Sequence, residues 1–173
     1  MKSSADGKKK WALLTEKPAA ASGIPNEDEL NAGIDFSCAV LESDIAWTPT
    51  ASDTFNEKTS CQVGNSSAFG ASNFDTALTF MRDYLEAGGP AVEAGDKAYQ
   101  AVRVKGSEVW IYMRESDKLS TEPWEAGDII DLGGLVRSDN PARVNNDGDI
   151  KRRVQFAPQN MIVEKAVLPG TGA

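Results

Sequence analysis

The side chains that ordinarily do chemistry are thinly represented in this chain of 173 residues. It has no histidine, which removes the commonest general base and metal ligand. Its two cysteines, Cys38 and Cys61, make neither a zinc spacing nor a disulfide framework. No Gly-x-x-x-x-Gly-Lys-Ser/Thr loop and no Gly-x-Gly-x-x-Gly turn occurs, so neither glycine-rich phosphate cradle is present. Asn145-Asn146-Asp147-Gly148 has the look of a calcium loop. If Gly148 held the sixth position, Arg143 would hold the first and Val154 the twelfth, and neither offers an oxygen ligand. With 26 Asp and Glu, two carboxylates could meet as a glycosidase pair, but nothing in the sequence favours one. The chain is read as non-enzymatic, with no cofactor and no metal.

The charge balance speaks against stable nucleic-acid binding. Eighteen Lys and Arg stand against 26 Asp and Glu, a net charge of −8, and duplex binding needs cations that displace the phosphate counterions. The cations are unevenly placed. Lys8, Lys9 and Lys10 form a basic start, and Lys151, Arg152 and Arg153 a basic patch near the end. Each is read either as solvated surface or as a docking patch for an acidic neighbouring copy. The first ten residues carry charge with no apolar stretch behind them, and are expected not to act as a secretory leader. No apolar run approaches the length of a membrane span, so no membrane insertion is expected.

The elements that must position these groups read mainly as strands. Ile34, Phe36, Cys38 and Val40 alternate with Asp35, Ser37 and Ala39, and Phe74, Leu78 and Phe80 with Asp75, Ala77 and Thr79. Such period-two patterning marks half-buried strands, and it places Cys38 on a buried face. Between these runs lies a polar loop, Glu42–Ala71, of roughly thirty residues; loops that long are usually functional or disordered. Val109–Met113 is apolar on both faces, so both should be covered. Gly133-Gly134, inside a further strand, suggests a bulge or a close backbone approach. Asp147-Gly148 is a hairpin step. Ile150–Phe156 and Met161–Leu168 are expected as two last strands, with Pro158 in the connection. One helix is expected at about Asp96–Arg103, with Asp96 as its cap and Ala98, Ala101 and Val102 as its apolar stripe.

The fold expected is therefore a mainly β domain: a β-sandwich or partly closed barrel with one flanking helix. Residues 1–30, with Pro18, Pro25 and Ala19-Ala20-Ala21, read as an extended N-terminal arm anchored by Trp11, Leu13 and Leu14. Residues 31–168 form the β domain, with the long loop at 42–71, and residues 169–173 a short tail.

The order of these pieces resembles the major tail tube protein of long-tailed bacteriophages. The likeness is carried by NAGIDFSC (31–38), the Cys-x-x-Gly-Asn turn at Cys61, Gly64 and Asn65, SNFDTALTFMRD (72–83), SEVWIYMRES (107–116) and GDIIDLGGLVRSDNP (127–141). It looks most like the tubes of phages that infect actinobacteria. The resemblance implies a structural virion protein, assembled in the host cytoplasm into hexameric rings that stack as the tail. It implies partners as well: further copies of the chain, the tape measure protein, the tail terminator and tail-tip proteins, and DNA in transit. The alternatives are a capsid decoration protein, a β-sandwich binding module, or a single-ring connector or terminator. Trp47, Phe55, Trp11, Leu13 and Leu14 are the candidate contacts between rings. Asp35, Asp75 and Glu164 are the candidate lumen residues, because an acidic lining would not hold DNA. Lys151, Arg152 and Arg153 are the candidate inter-subunit basic patch.

Overall fold

A computed structural model of the chain describes residues 4–84, 88–89, 94–144 and 147–170. The elements are β1 (Lys9–Leu14), α1 (Glu27–Ala32), β2 (Ile34–Asp35), β3 (Ala46–Thr50), β4 (Thr54–Asn56), β5 (Ser67–Phe69), β6 (Asn73–Met81), α2 (Ala94–Val102), β7 (Glu108–Glu115), β8 (Ile129–Ser138), β9 (Ala142–Arg143) and β10 (Lys151–Ala166). All but β4 and β5 of the strands form one antiparallel sheet in the order β2-β1-β7-β8-β10-β6-β3, with β9 paired to β10 beside that path. β4 and β5 form a separate two-stranded sheet.

The large sheet folds back on itself without closing. β3, at one end of the strand order, carries Trp47 onto Trp11 of β1 near the other end, ring centroids 5.6 Å apart. β2 and β3 do not pair with each other. The inner face is one apolar cluster, to which β1, β6, β7 and β8 contribute Trp11, Phe80, Ile111 and Leu132, and α2 lays Ala98, Tyr99 and Val102 on it. This is the sandwich-like, mainly β architecture with a flanking helix that the sequence indicates.

A second cluster covers the other face of β1 and β7. Ala12, Leu14, Trp110 and Tyr112 pack there with Leu30 of α1, Trp124 and Val167. Both faces of β7 are thus buried, as its unbroken apolar run requires. The short helix α1, which lies mostly in the stretch expected as an N-terminal arm, starts at a capping box. Asn26 Oδ1 accepts from the Glu29 amide at 2.8 Å and a Glu29 carboxylate oxygen accepts from the Asn26 amide at 2.8 Å.

Three further expectations change. Within the region expected as an N-terminal arm, of which residues 4–30 are described, Lys9–Leu14 pairs along its whole length with β7. The strand expected over Asn31–Val40 shrinks to Ile34–Asp35, and a 3-10 turn at Ser37–Ala39 follows it. That turn leaves Phe36 buried but rotates Cys38 into solvent. The two last strands are one, β10, whose first part pairs with β6 and whose second part pairs with β8. Pro158 sits at a register shift between Pro158 and Asn160, where a bulge tolerates its missing N–H.

The glycine pair of β8 is a close approach. Gly134 has φ +148°, and a Cβ there would run into the Asn160 carbonyl of β10. Gly148 takes a positive φ in the β9–β10 connection, while Asn145 and Asn146 of the turn lie outside the described residues, as do residues 171–173 of the tail. Pro169 and Gly170 are described, and the Gly170 amide donates to Glu27 at 3.3 Å.

Candidate functional site

The long polar loop resolves into two parts. Its first part supplies β3, which pairs with β6 from Ala46↔Ala77 to Thr50↔Asn73. Its second part, residues 51–72, is a hairpin built on β4 and β5 in the register Thr54↔Phe69, Phe55↔Ala68 and Asn56↔Ser67. The root is tied by the Asp53 amide to Ala71 O (2.9 Å) and by Asn73 Nδ2 to Ala51 O (3.0 Å). The tip turns at Thr59–Gln62, where the Gln62 amide donates to Thr59 O at 3.0 Å.

Every residue from 53 to 73 is exposed. Phe55 is 50% exposed, Phe69 81% and Val63 98%. Adjacent strand residues point to opposite faces, so each face of the hairpin presents one phenylalanine. A two-stranded ribbon of this length is marginal in water by itself, and its apolar side chains bury little within the subunit.

Of the residues expected to contact a neighbouring copy, Phe55 alone is displayed. Trp47 is 5% exposed; its ring packs on Trp11 and Phe156, and its Nε1 donates to Leu132 O at 3.1 Å. Trp11, Leu13 and Leu14 are buried in β1. These four belong to the subunit's own hydrophobic core. Phe69 and Val63, which belong with Phe55, were not singled out. Their signal was an apolar side chain in a polar loop on the return limb of a hairpin.

The basic start is internally neutralised. Lys8 pairs with Asp117 (3.0 Å), Lys9 with Glu42 (2.9 Å) and Lys10 with Asp35 (2.6 Å). The Lys9 ammonium pKa is raised, chiefly by its hydrogen bond to Glu42. Asp35, a candidate lumen residue, thus has its charge offset. Burial acts to raise its pKa, but hydrogen bonds from Lys10 and Ser37 outweigh this and hold it low. Asp75 and Glu164 are exposed, on β6 and β10.

The late basic patch divides. Arg153 is bound to the Asp44 carboxylate, which also accepts from Thr79. Lys151 Nζ donates to Asp147 O at 3.3 Å. Arg152 stands directly across from Arg143 in the β9–β10 pair. Among the described residues neither of these two arginines has a carboxylate partner, and like charges in that relation repel.

Beyond the far end of β6 lies a cleft of about 450 Å³. Phe36, Cys38, Ala39 and Met81 give it apolar walls, and Arg82, Asp83 and Asp96 line it as well. Arg82 Nε donates to Asp96 Oδ1 at 2.7 Å, and its guanidinium lies over the ring of Tyr99 at 3.9 Å. Asp96, expected to cap α2, instead lies within it and takes its bonds from the side chains of Arg82 and Gln100. Among the described residues no group of His, Cys, Asp and Glu could hold a metal ion, and no helix is long and apolar enough to cross a membrane.

A family model described as phage tail tube protein matches residues 1–171. No curated protein and no solved structure matches the chain.

Proposed function

This chain belongs to the phage tail tube protein family, and we propose that its copies form rings that stack axially, the 51–72 hairpin of each subunit reaching the adjacent ring. The observation that supports this is the hairpin itself: a ribbon of exposed residues carrying Phe55, Val63 and Phe69 and adding nothing to the core of its own subunit. Aromatic anchors of this kind often dominate binding energy once a partner buries them. In this reading the rings are hexameric and the tube encloses the tape measure protein and then conducts DNA. The channel face is net negative or neutral. Asp75 and Glu164 are its acidic candidates, whereas Asp35, offset by Lys10, adds little. Lys151, Arg152 and Arg143 serve lateral contacts with acidic surface on the next subunit.

Negative-stain electron microscopy of concentrated protein tests the proposal. Tubes are expected from the unmodified chain, and short or absent tubes from a Phe55→Ser, Phe69→Ser protein that still melts cooperatively. Single rings at every concentration would move the assignment to a connector or terminator. Uniform monomers at every salt and concentration would favour a decoration or binding module. Lumen polarity is tested in virions: Asp75→Lys with Glu164→Lys should slow DNA ejection, and an unchanged rate with both side chains facing the channel would refute the electrostatic argument.

A further inference from the structure

The hairpin and the cleft lie at opposite ends of one strand. The hairpin rejoins the sheet at Asn73, where β6 begins, and the cleft is walled by Met81, where β6 ends, with Arg82 and Asp83. Eight steps along an antiparallel strand amount to roughly 27 Å. A projection at one end of a paired strand and an open cavity at the other suit a contact between two different surfaces of identical copies. Repeated without closure, such a contact builds an open stack.

We propose that the cleft of one copy is the socket for the hairpin tip, residues 57–64, of the next copy along the axis, an inference that rests on the tail tube reading above. The chemistry of the two surfaces matches. The tip displays Val63, 98% exposed, and the cleft offers Phe36, Ala39 and Met81 to cover it. Of the carboxylates lining the cleft, Asp35 is paired with Lys10 and Asp96 with Arg82. Among the described residues Asp83 has no partner. On the hairpin the one cation, Lys58, likewise has no partner among the described residues. Seating the tip brings Lys58 toward Asp83, and opposite charges so placed fix register and orientation. It also brings two free, exposed thiols to one place: Cys61 at the tip and Cys38 on the cleft wall.

Those thiols allow a test on the unmodified protein. Assembled tubes are treated with a short bis-maleimide and digested, and the linked peptides are identified by mass spectrometry. A Cys38–Cys61 link between copies is expected, lost in Cys38→Ser and in Cys61→Ser, and absent from unassembled subunits. A charge exchange provides the second arm. Lys58→Glu and Asp83→Lys should each slow tube elongation about tenfold, and the double variant should recover most of the rate. Tubes that give no Cys38–Cys61 link, or charge variants whose defects simply add, would overturn the socket while leaving the tail tube reading intact. Failure of the unmodified protein to form tubes under any condition would overturn both.

Discussion

Trp47 and Trp11 meet edge to face, centroids 5.6 Å apart and ring planes at 82°, and so join a strand at one end of the sheet order to the strand next to the other end. The same Trp47 donates its indole N–H to Leu132 O. Trp47→Ala would remove a large ring from a closed core and leave a buried carbonyl without its donor, at about 3–5 kcal/mol. Phe55→Ala, at an exposed position, should stay within about 0.5 kcal/mol in stability. Thermal melts of the two variants should therefore separate widely, with Phe55→Ala the one that folds normally and assembles poorly. Equal melting temperatures would show that Trp47 does not hold the sheet together.

Arg82 and Asp96 form a buried pair, their side chains 7% and 0% exposed. Asp96→Ala would strand the guanidinium beneath α2 and is expected to cost about 3–5 kcal/mol. Replacing both partners by apolar residues, Arg82→Met with Asp96→Leu, should restore much of that loss. Denaturant titrations of the two proteins measure the difference.

Two aspartates give opposite responses to pH. Burial acts to raise the pKa of Asp131, and the nearby Glu115 and Glu164 raise it further above the ordinary 3.8. The stability associated with its protonated form is present below that value and lost as pH rises through the raised pKa. At neutral pH the ionised group therefore costs stability, so Asp131→Asn should raise the melting temperature at pH 7 and change it little at pH 3. At Asp128, burial also acts to raise the pKa, but hydrogen bonds from Lys118, the Glu125 amide and Arg114 outweigh it and hold the carboxyl below 3.8. Its contribution is present above that value and lost as pH falls through the lowered pKa. Asp128→Asn should therefore be destabilised at pH 7, with the deficit shrinking in acid. Melting curves against pH check both signs.

Gly134 and Gly148 both have positive φ, but only Gly134 faces a backbone, that of Asn160. Gly148→Ala should cost about 1 kcal/mol from the strained backbone alone. Gly134→Ala should cost clearly more, because β8 and β10 must separate to admit the methyl group. Equal losses in chemical denaturation would place the cost in backbone strain and not in the close approach.

β6, β7, β8 and α2 were legible in the sequence because a single apolar face, or β-branched and aromatic content, announces them. Gly133-Gly134 was legible as a close approach. β1 was not, because Trp11 and Leu13 face one cluster while Ala12 and Leu14 face the other. A strand buried on both sides has no period of two, and six residues are too few to distinguish from an anchored arm. The alternation at Ile34, Phe36, Cys38 and Val40 misled for the reverse reason: the chain turns at Ser37–Ala39, and the pattern outlasts the strand. The Asn26-x-x-Glu29 start of α1 was a readable signal that the reading of residues 1–30 as an arm passed over. On the exposed hairpin, Phe55 was legible as an isolated aromatic. Trp47, in the same polar stretch, was not distinguishable from it, because only pairing with β6 reveals which of the two points inward.

The strand order also bears on when the chain can fold during synthesis. β1 pairs with β7, about a hundred residues downstream, and β10 joins β6 to β8. Contacts this distant in sequence are slow to form. The ribosome must release β10 before the two parts of the sheet are joined, and only then does β6 become a fixed rod with its hairpin at one end and its cleft at the other. If the hairpin and cleft meet between copies as proposed above, a chain still on the ribosome would lack the finished sheet that sets the two apart until its last strand has been made.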